Sequence, residues 1–388
     1  MRKKWANVWS YTQQDYRSSP STIENQVQIV RIRSNHVTNQ LKLRFSNEYG
    51  METIKFHKVL VRVLEEKTLN VREEKVVHVA GKEEISIFPA SNLISDTLTF
   101  EVKYGMILEI ETHLKKPTVL HSGTVSYSRR ELEVFNYVGD NRTFVEQKEL
   151  FQMVKDNTRM FYVYGISGVD FLVNEKVKTI VAFGDSLTQQ GFWVDHLKGR
   201  LFQEKQHEIA ILNRGIGGSR MLKGQNPKND VFTRHGNAGL FRFEKELFMY
   251  GEIDSAICFH GINDLISRHD GGNEYEFSFE DILLGFTQYA NLAHQHNVKA
   301  YIATITPMKH SIFFNESFEK ERQAVNEWIR EQRYFDGVFD FEKAVVDKND
   351  SALLAYDYDC GDGLHLSDKG GKALAESIDL AMLLGNER

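Results

Sequence analysis

The sequence predicts two domains of different fold class, an antiparallel β-sandwich over residues 1–175 and an α/β domain over residues 176–388. Two observations lead to this prediction. Apolar and polar residues alternate in the first part, whereas short apolar runs alternate with helical patterns in the second. In addition, 388 residues exceed the length that one hydrophobic core usually serves. We place the boundary in the polar segment 173–178.

The β-sandwich is predicted from apolar residues that recur at every second position. Such alternation is typical of strands that have one buried and one solvated face. Several of these strands, separated by turns, indicate an antiparallel sandwich, here of a jelly-roll-like type. Pro89 and Pro117 fall between the runs, where a missing N–H does not interrupt a ladder. The clearest runs are Leu41, Leu43 and Phe45; Val59, Val61 and Val63; Leu98, Phe100 and Val102; and Met106, Leu108 and Ile110.

The α/β domain is predicted from five apolar runs with amphipathic segments between them. Trp193, Leu197 and Leu201 form one helical stripe, and Ser278 with Asp281 resembles a capping box. Strands and helices in alternation indicate a parallel sheet covered on both faces, with its sites at the carboxyl ends of the strands. The predicted strands are residues 179–183, 209–212, 255–259, 300–305 and 337–341.

Composition and charge argue against several classes of function. Hydrophobic residues make up 41% of the chain, charged residues 26%, and the formal net charge is −6. We expect no nucleic-acid partner, because no basic stretch offers a surface for phosphates. The apolar runs are too short to span a bilayer. The charged start of the chain is followed by polar residues and not by the apolar segment of a signal peptide, so we expect a cytoplasmic protein.

Cysteine usage and ligand spacing predict no disulfide framework, no metal and no cofactor. Cys258 lies in an apolar run and is predicted to be a buried thiol, whereas Cys360 lies near a C-terminal motif described below. No spacing typical of a zinc site occurs in the sequence. The segment "HQH", residues 294–296, is predicted to be a polar helix end.

The segment "VAFGDSLTQQG", residues 181–191, offers two interpretations of its serine. An apolar strand ends at Gly184, and a helix is predicted to begin just after it. Ser186 at this turn is well placed as a nucleophile, because free N–H groups at a helix N-terminus favour developing negative charge. Alternatively, Asp185 or Ser186 simply caps the helix.

A serine nucleophile needs a base, and one histidine has a suitable neighbour. In "CGDGLHLSD", residues 360–368, Asp362 stands three residues before His365. A loop of that length can turn the carboxylate onto the imidazole, where it would hold the tautomer and stabilise the imidazolium. The alternative is an ordinary surface turn that contains an aspartate and a histidine.

Two further segments offer donors for an oxyanion. "NRGIGGSR", residues 213–220, follows the second predicted strand, and Gly217 or Gly218 would expose a backbone N–H there. "HGINDL", residues 260–265, follows the third strand, where the amide of Asn263 is a possible side-chain donor. The alternatives are a plain turn and an Asx-type helix cap. Since successive strands of one sheet precede all three segments, they are expected to meet at one edge.

These four segments, taken in order, resemble the blocks of the GDSL-type, or SGNH, hydrolases. The resemblance implies a flavodoxin-like fold and acyl transfer without a metal, with Ser186 as the nucleophile. It also implies that Asp362 and His365 complete the catalytic triad. Gly218, Asn263 and the backbone N–H of Ser186 would form the oxyanion hole.

The N-terminal half is similar to the β-sandwich that precedes this domain in carbohydrate-esterase relatives. The similarity rests on "WANVWSY", residues 5–11, and "LRFSNEYG", residues 43–50. We therefore expect a short-chain acyl ester, an acetyl ester above all, on a carbohydrate. The polar segments 219–231 and 264–281, which follow the second and third strands, suit a hydroxylated alcohol.

Two alternative functions stay open at this point. The first is a lipid or thioester acylhydrolase of the same family. The second is a glycan-binding protein that has lost catalysis, although the complete set of serine, aspartate and histidine argues against it. Phe192 and Trp193 would stack on a sugar or lie in the core, and the helical spacing of Trp193 favours the core.

Overall fold

A computed structural model of the protein describes residues 2–150, 160–224, 234–269 and 277–385. By its internal contacts the chain forms two compact units. The first holds the residues up to Lys178 and also Lys205–Leu212, and the second holds most of the chain from Thr179 onward. No helix within the described ranges combines the length and the apolar character that crossing a membrane requires.

The regular secondary structure of the first unit consists almost entirely of strands. They are β1 (Lys3–Ser10), β2 (Gln14–Asp15), β3 (Ser21–Ile23), β4 (Gln26–Arg33), β5 (Thr38–Ser46), β6 (Ile54–Leu64), β7 (Val71–Val76), β8 (Ile85–Ile87), β9 (Asn92–Ile94), β10 (Leu98–Val102), β11 (Ile107–Leu114), β12 (Thr118–Leu120), β13 (Ser122–Ser126), β14 (Leu132–Val138), β15 (Thr143–Val145), β16 (Phe161–Val163) and β17 (Ile166–Asn174). One short helix, α1 (Gln147–Leu150), accompanies them.

Two antiparallel sheets share one hydrophobic core in this unit. The first runs in the order β1-β17-β5-β10 with β9 on β5, and the second in the order β15-β14-β4-β11-β6-β7 with β8 on β6. Leu41, Leu43 and Phe45 of the first sheet and Val59 and Val61 of the second belong to the same core cluster and are fully buried. The predicted antiparallel, sandwich-like fold is therefore confirmed, and the period-two alternation is its cause.

The chain after β17 is built on a five-stranded sheet in the order β19-β18-β20-β21-β22. The pairs β18–β20, β20–β21 and β21–β22 are parallel, which confirms the predicted α/β class. The strands are β18 (Lys178–Gly184), β19 (Ile209–Gly215), β20 (Ser255–Phe259), β21 (Lys299–Ala303) and β22 (Gly337–Phe339). The helices are α2 (Ser186–Gln189), α3 (Phe192–Gln203), α4 (Gly239–Phe248), α5 (Ile262–His269), α6 (Phe279–Gln295), α7 (Glu316–Glu331), α8 (Phe341–Val345), α9 (Asp368–Ser377) and α10 (Leu380–Leu384).

Two of the predicted strands are longer than those observed. The run 300–305 leaves the sheet after Ala303, because Ile305 N–H donates to the side-chain amide oxygen of Asn326 in α7, 2.7 Å away. The run 337–341 ends at Phe339, because Asp340 caps α8 by accepting from the N–H of Lys343. In both places a side chain ends a strand that its apolar pattern would continue.

The helical predictions agree with the structure. Trp193, Leu197 and Leu201 are buried on one side of α3, so Trp193 belongs to the core and is not free to stack on a sugar. Ser278 and Asp281 form the capping box at the start of α6. The segment 294–296 is the polar end of that same helix, which closes at His296.

Candidate active site

The turn after β18 serves as a helix cap and presents a serine hydroxyl as well. Asp185 is the N-cap of α2, and its Oδ1 accepts from the N–H of Leu187 at 3.0 Å. Burial raises the pKa of Asp185 to about 7, although the Leu187 N–H and the charge of His365 oppose this shift. Because Asp185 does the capping, the hydroxyl of Ser186 is left for another partner.

That partner is His365, whose Nε2 lies 2.8 Å from Ser186 Oγ. On the other side of the ring, Nδ1 lies 2.7 Å from Asp362 Oδ2. Desolvation tends to raise the pKa of Asp362, but the hydrogen bonds from His365 outweigh it and hold that pKa well below its usual range. An ionised carboxylate only accepts, so Nδ1 carries a proton and Nε2 can accept from the serine hydroxyl.

The loop that carries Asp362 and His365 depends on its glycines. Asp362 Oδ1 accepts from the N–H groups of Leu364 and His365 at 2.9 and 2.8 Å. Gly363 has a φ of +76°, and a Cβ there would lie 2.2 Å from the carbonyl carbon of His310. Only glycine suits this position, since the left-handed region and the close backbone both exclude a side chain.

The glycine-rich segment after β19 lies beside Ser186. A Cβ added to Gly217 would lie 3.8 Å from the Cβ of Ser186. Ser219 N–H donates to Ile216 O at 3.1 Å, which closes a tight turn around Gly218, and Gly218 has a φ of +72°. Within the described chain, the backbone N–H groups of Ser186 and Gly218 donate to no other residue.

Asn263 lies in the first turn of α5 and does not precede that helix, so the alternative of an Asx-type cap is wrong. Its Nδ2 donates to Ser219 O at 3.0 Å, which joins this segment to the turn at Gly218. Asp264 next to it accepts from the N–H groups of Met221 and Leu222 at 2.8 and 3.0 Å. Burial raises the pKa of Asp264 to about 6, although both N–H groups oppose the shift.

Sequence reasoning did not identify Arg242, a buried arginine of α4 that connects these segments. Its Nη2 donates to Gly184 O at 2.7 Å and to Ser219 Oγ at 3.2 Å. Its Nη1 pairs with Glu246 Oε2 at 2.5 Å, and its guanidinium lies 4.2 Å from the ring centroid of Phe183. The only sequence signal for it is the (i, i+4) pair of opposite charges beside an apolar helix stripe.

Among the described residues, Asp359, Cys360 and Asp362 have donor atoms within 4.8 Å of one another, as a metal site would require. These groups already have other roles. Asp359 Oδ1 accepts from Gly361 N–H and Gly363 N–H at 2.7 and 3.1 Å, and Asp362 holds His365. Desolvation and the charge of Asp362 raise the pKa of Cys360 to about 11, which disfavours a metal-binding thiolate.

Residues 182–373 match the model of the GDSL-like Lipase/Acylhydrolase family, and over those residues the chain belongs to that family. The protein is therefore a carboxylic-ester hydrolase. The resemblance predicted from the sequence is therefore confirmed.

Several solved structures are similar to this chain. One is a GDSL-like lipase from Bacteroides thetaiotaomicron VPI-5482, with 18% identity, 55% of this chain and 91% of that chain covered, and a TM-score of 0.40. Another is an acetyl xylan esterase, AlAXEase, with 19% identity, coverages of 51% and 96%, and a TM-score of 0.39. A third is a catalytic mutant of an acetylxylan esterase from Geobacillus stearothermophilus, with 16% identity, coverages of 52% and 91%, and a TM-score of 0.38. No curated protein matches the chain.

Proposed function

We propose that the protein is a serine esterase with Ser186 as its nucleophile. The observation that carries this proposal is the chain of two hydrogen bonds, 2.8 Å from Ser186 Oγ to His365 Nε2 and 2.7 Å from His365 Nδ1 to Asp362 Oδ2. These two hydrogen bonds place a base beside the hydroxyl and a carboxylate behind that base, so that the neutral hydroxyl can lose its proton as it attacks.

In the first half of the proposed reaction, Ser186 Oγ bonds to the ester carbonyl carbon while His365 Nε2 takes the hydroxyl proton. The carbonyl π electrons move onto its oxygen. When the tetrahedral intermediate collapses, the bond to the alcohol oxygen breaks, and His365 returns its proton to that oxygen. Water then attacks the acyl-enzyme in the same way, so that the acid leaves and Ser186 regains its proton.

The oxyanion would be held by three donors: the first residue of α2, the turn after β19 and the first turn of α5. The N–H groups of Ser186 and Gly218 have no other acceptor among the described residues. Asn263 uses one amide N–H for Ser219 O, which leaves its second N–H for the substrate. Donors that are in place before the reaction stabilise the negative charge that forms only in the transition state. Removal of one such donor typically lowers kcat by a factor of about 10² to 10³.

We propose that this chemistry needs no metal or other cofactor, and we expect chelators to leave the activity unchanged. A metal on Asp362 would compete with His365 for the same carboxylate. The measurement is p-nitrophenyl acetate hydrolysis after dialysis against EDTA, with and without added zinc. Loss of turnover in EDTA that zinc restores would contradict the serine mechanism.

For the substrate we propose a short acyl group, acetyl above all, esterified to a carbohydrate. Polar side chains in the described segments that follow β19 and β20 support this proposal. Arg220 follows the Gly218 turn, and its guanidinium donates to Ser267 Oγ of α5 at 3.0 Å. Guanidinium and hydroxyl groups suit a hydroxylated alcohol. Residues 225–231 and 270–276 of these two polar segments lie outside the described residues.

A lipid acylhydrolase is the second candidate, and one observation favours it. Ile312 is 92% exposed and Phe313 is 47% exposed on the loop between β21 and α7. The same loop contacts the loop of His365, since a Cβ on Gly363 would meet the backbone of His310 and Ser311. An acyl chain that reached this apolar pair would be stabilised by roughly 0.8 kcal/mol for each buried methylene.

A chain-length series separates the two candidates. We expect kcat/KM to fall from p-nitrophenyl acetate through butyrate to octanoate, because a small acyl pocket excludes longer chains by steric clash. The measurement uses subsaturating ester, followed by acetylated oligosaccharides. A steady rise from two carbons to eight, lost in Ile312→Ser but kept in the control Ile94→Ser of the first unit, would establish the lipid alternative instead. Glycan binding by a chain inactive on every ester would establish the non-catalytic alternative.

We also propose that the two predicted domains, 1–175 and 176–388, are separate modules. This proposal is supported by the change from antiparallel to parallel pairing between β17, which ends at Asn174, and β18, which begins at Lys178.

A further inference from the structure

A second histidine lies next to the candidate active site, and its bonding pattern determines which ring nitrogen carries the proton. His260 directly follows β20 and is 1% exposed. Its Nε2 lies 3.0 Å from Ser219 O, and its Nδ1 lies 2.8 Å from the hydroxyl of Tyr289. A carbonyl oxygen only accepts, so Nε2 carries the proton and Nδ1 accepts from Tyr289 O–H.

This imidazole is neutral and is not free to act as a base. Burial, together with the positive charge of Arg242, lowers the pKa of His260 to about 3, although the hydrogen bond to Ser219 opposes this shift. Both ring nitrogens already have partners, and Tyr289 is fully buried. His260 therefore serves as a fixed N–H donor, a role different from that proposed for His365.

The acceptor of that N–H, the Ser219 carbonyl, also holds one of the proposed oxyanion donors. Ser219 O also accepts from Asn263 Nδ2 at 3.0 Å, so this carbonyl sets the rotation of the Asn263 amide. Ser219 follows Gly218 directly, and its Oγ accepts from Arg242 Nη2. A shift of the Ser219 carbonyl would therefore displace one proposed donor, the Asn263 amide.

We propose that His260 is a positioning residue for the oxyanion hole, which acts by holding the Ser219 carbonyl against which Asn263 is oriented. The role rests on the proposed esterase function. Positions of catalytic groups matter at the scale of about 1 Å, where a displacement can cost on the order of 10²-fold in rate. Substitution of His260 should therefore lower kcat, and this loss should vanish when the Asn263 side chain has been removed.

Two amide substitutions form a matched pair for the test. In His260→Gln the side-chain nitrogen can reach the position of the imidazole Nε2, whereas in His260→Asn it reaches only that of Nδ1. Both place a neutral amide in the same buried site. We expect His260→Asn to lower kcat on p-nitrophenyl acetate by about 10- to 100-fold with KM changed less than about threefold. We expect His260→Gln to keep kcat within about fivefold of the wild type.

A double-mutant cycle decides whether His260 acts through Asn263. In the Asn263→Ala background, His260→Asn should cost less than about threefold in kcat, because the amide that it orients is already gone. The same fold-loss in both backgrounds, or equal kcat for the Gln and Asn variants, would overturn the proposal. If neither His260 variant folds, Tyr289→Phe takes their place: it keeps the ring but removes the O–H that holds Nδ1, and an unchanged kcat would overturn the proposal.

The result also separates this proposal from the one on which it rests. If the wild type hydrolyses no ester, or if Ser186→Ala keeps its activity, the esterase assignment fails and the positioning role fails with it. If Ser186→Ala is inactive while the His260 pair gives no difference, only the positioning role fails.

Discussion

Ser186→Ala is expected to lower kcat on p-nitrophenyl acetate by a factor on the order of 10⁶. The reason is that Ser186 Oγ is the one protein atom proposed to form a covalent bond with the substrate, so no neighbouring group replaces it. Within the described part of the chain the Ser186 hydroxyl makes a single hydrogen bond, to His365, so the melting temperature should change by only a few degrees. Covalent labelling by a fluorophosphonate should disappear together with the activity.

The matched control for this variant is Ser377→Ala. Ser377 is an exposed serine of α9 whose hydroxyl donates to Leu374 O at 2.8 Å, so its loss should leave turnover and labelling intact. A purified, folded Ser186→Ala protein that kept a tenth of the wild-type rate would remove Ser186 from the mechanism.

Asp362→Asn is expected to cost on the order of 10³ to 10⁴ in kcat, because it reverses the tautomer of the base. Asp362 Oδ1 is held by the N–H groups of Leu364 and His365, so the amide oxygen should keep that position. The NH₂ group must then face His365 Nδ1, where the carboxylate oxygen Oδ2 now lies. A donor there leaves Nδ1 as the acceptor and puts the proton on Nε2, which can no longer accept from Ser186.

The neighbouring aspartate provides the control. Asp359→Asn changes the same charge on the same loop, but Asp359 contacts Gly361 N–H and Gly363 N–H and not His365. An amide oxygen can accept both bonds, so kcat should stay within about threefold. Equal losses in the two variants would show that loop charge, and not the tautomer of His365, controls the rate.

The elements that could be predicted are those with a local cause. Alternation at Leu41, Leu43 and Phe45 predicts a strand because every second side chain faces the core, and all three are fully buried. Ser278 and Asp281 predict a helix start because a capping box involves only residues that lie three positions apart. The ends of β21 and β22 could not be predicted, since an amide from α7 and a cap at Asp340 end strands that the apolar runs would continue.

The candidate site divides in the same way. The residues proposed to react occur in short segments, so residue type and spacing pointed to Ser186, Asp362 and His365. Strand order predicted that the segment of Ser186 meets the two segments that follow the second and third strands. The residues that support the site gave no such signal. Arg242, His260 and Asp264 each contact a backbone group more than 20 residues away in the chain, and no local pattern marks such a partner.

The sequence by itself determined the two fold classes, the family and the residues proposed for the chemistry, because hydrophobic period and motif spacing are properties of neighbouring residues. Only the tertiary structure decided that Asp185 caps the helix while Ser186 faces His365. Likewise, only the tertiary structure made one carbonyl, that of Ser219, the shared acceptor of Asn263 and His260. The physical reason is that a buried polar group must find a partner, and packing alone determines which distant residue comes within reach.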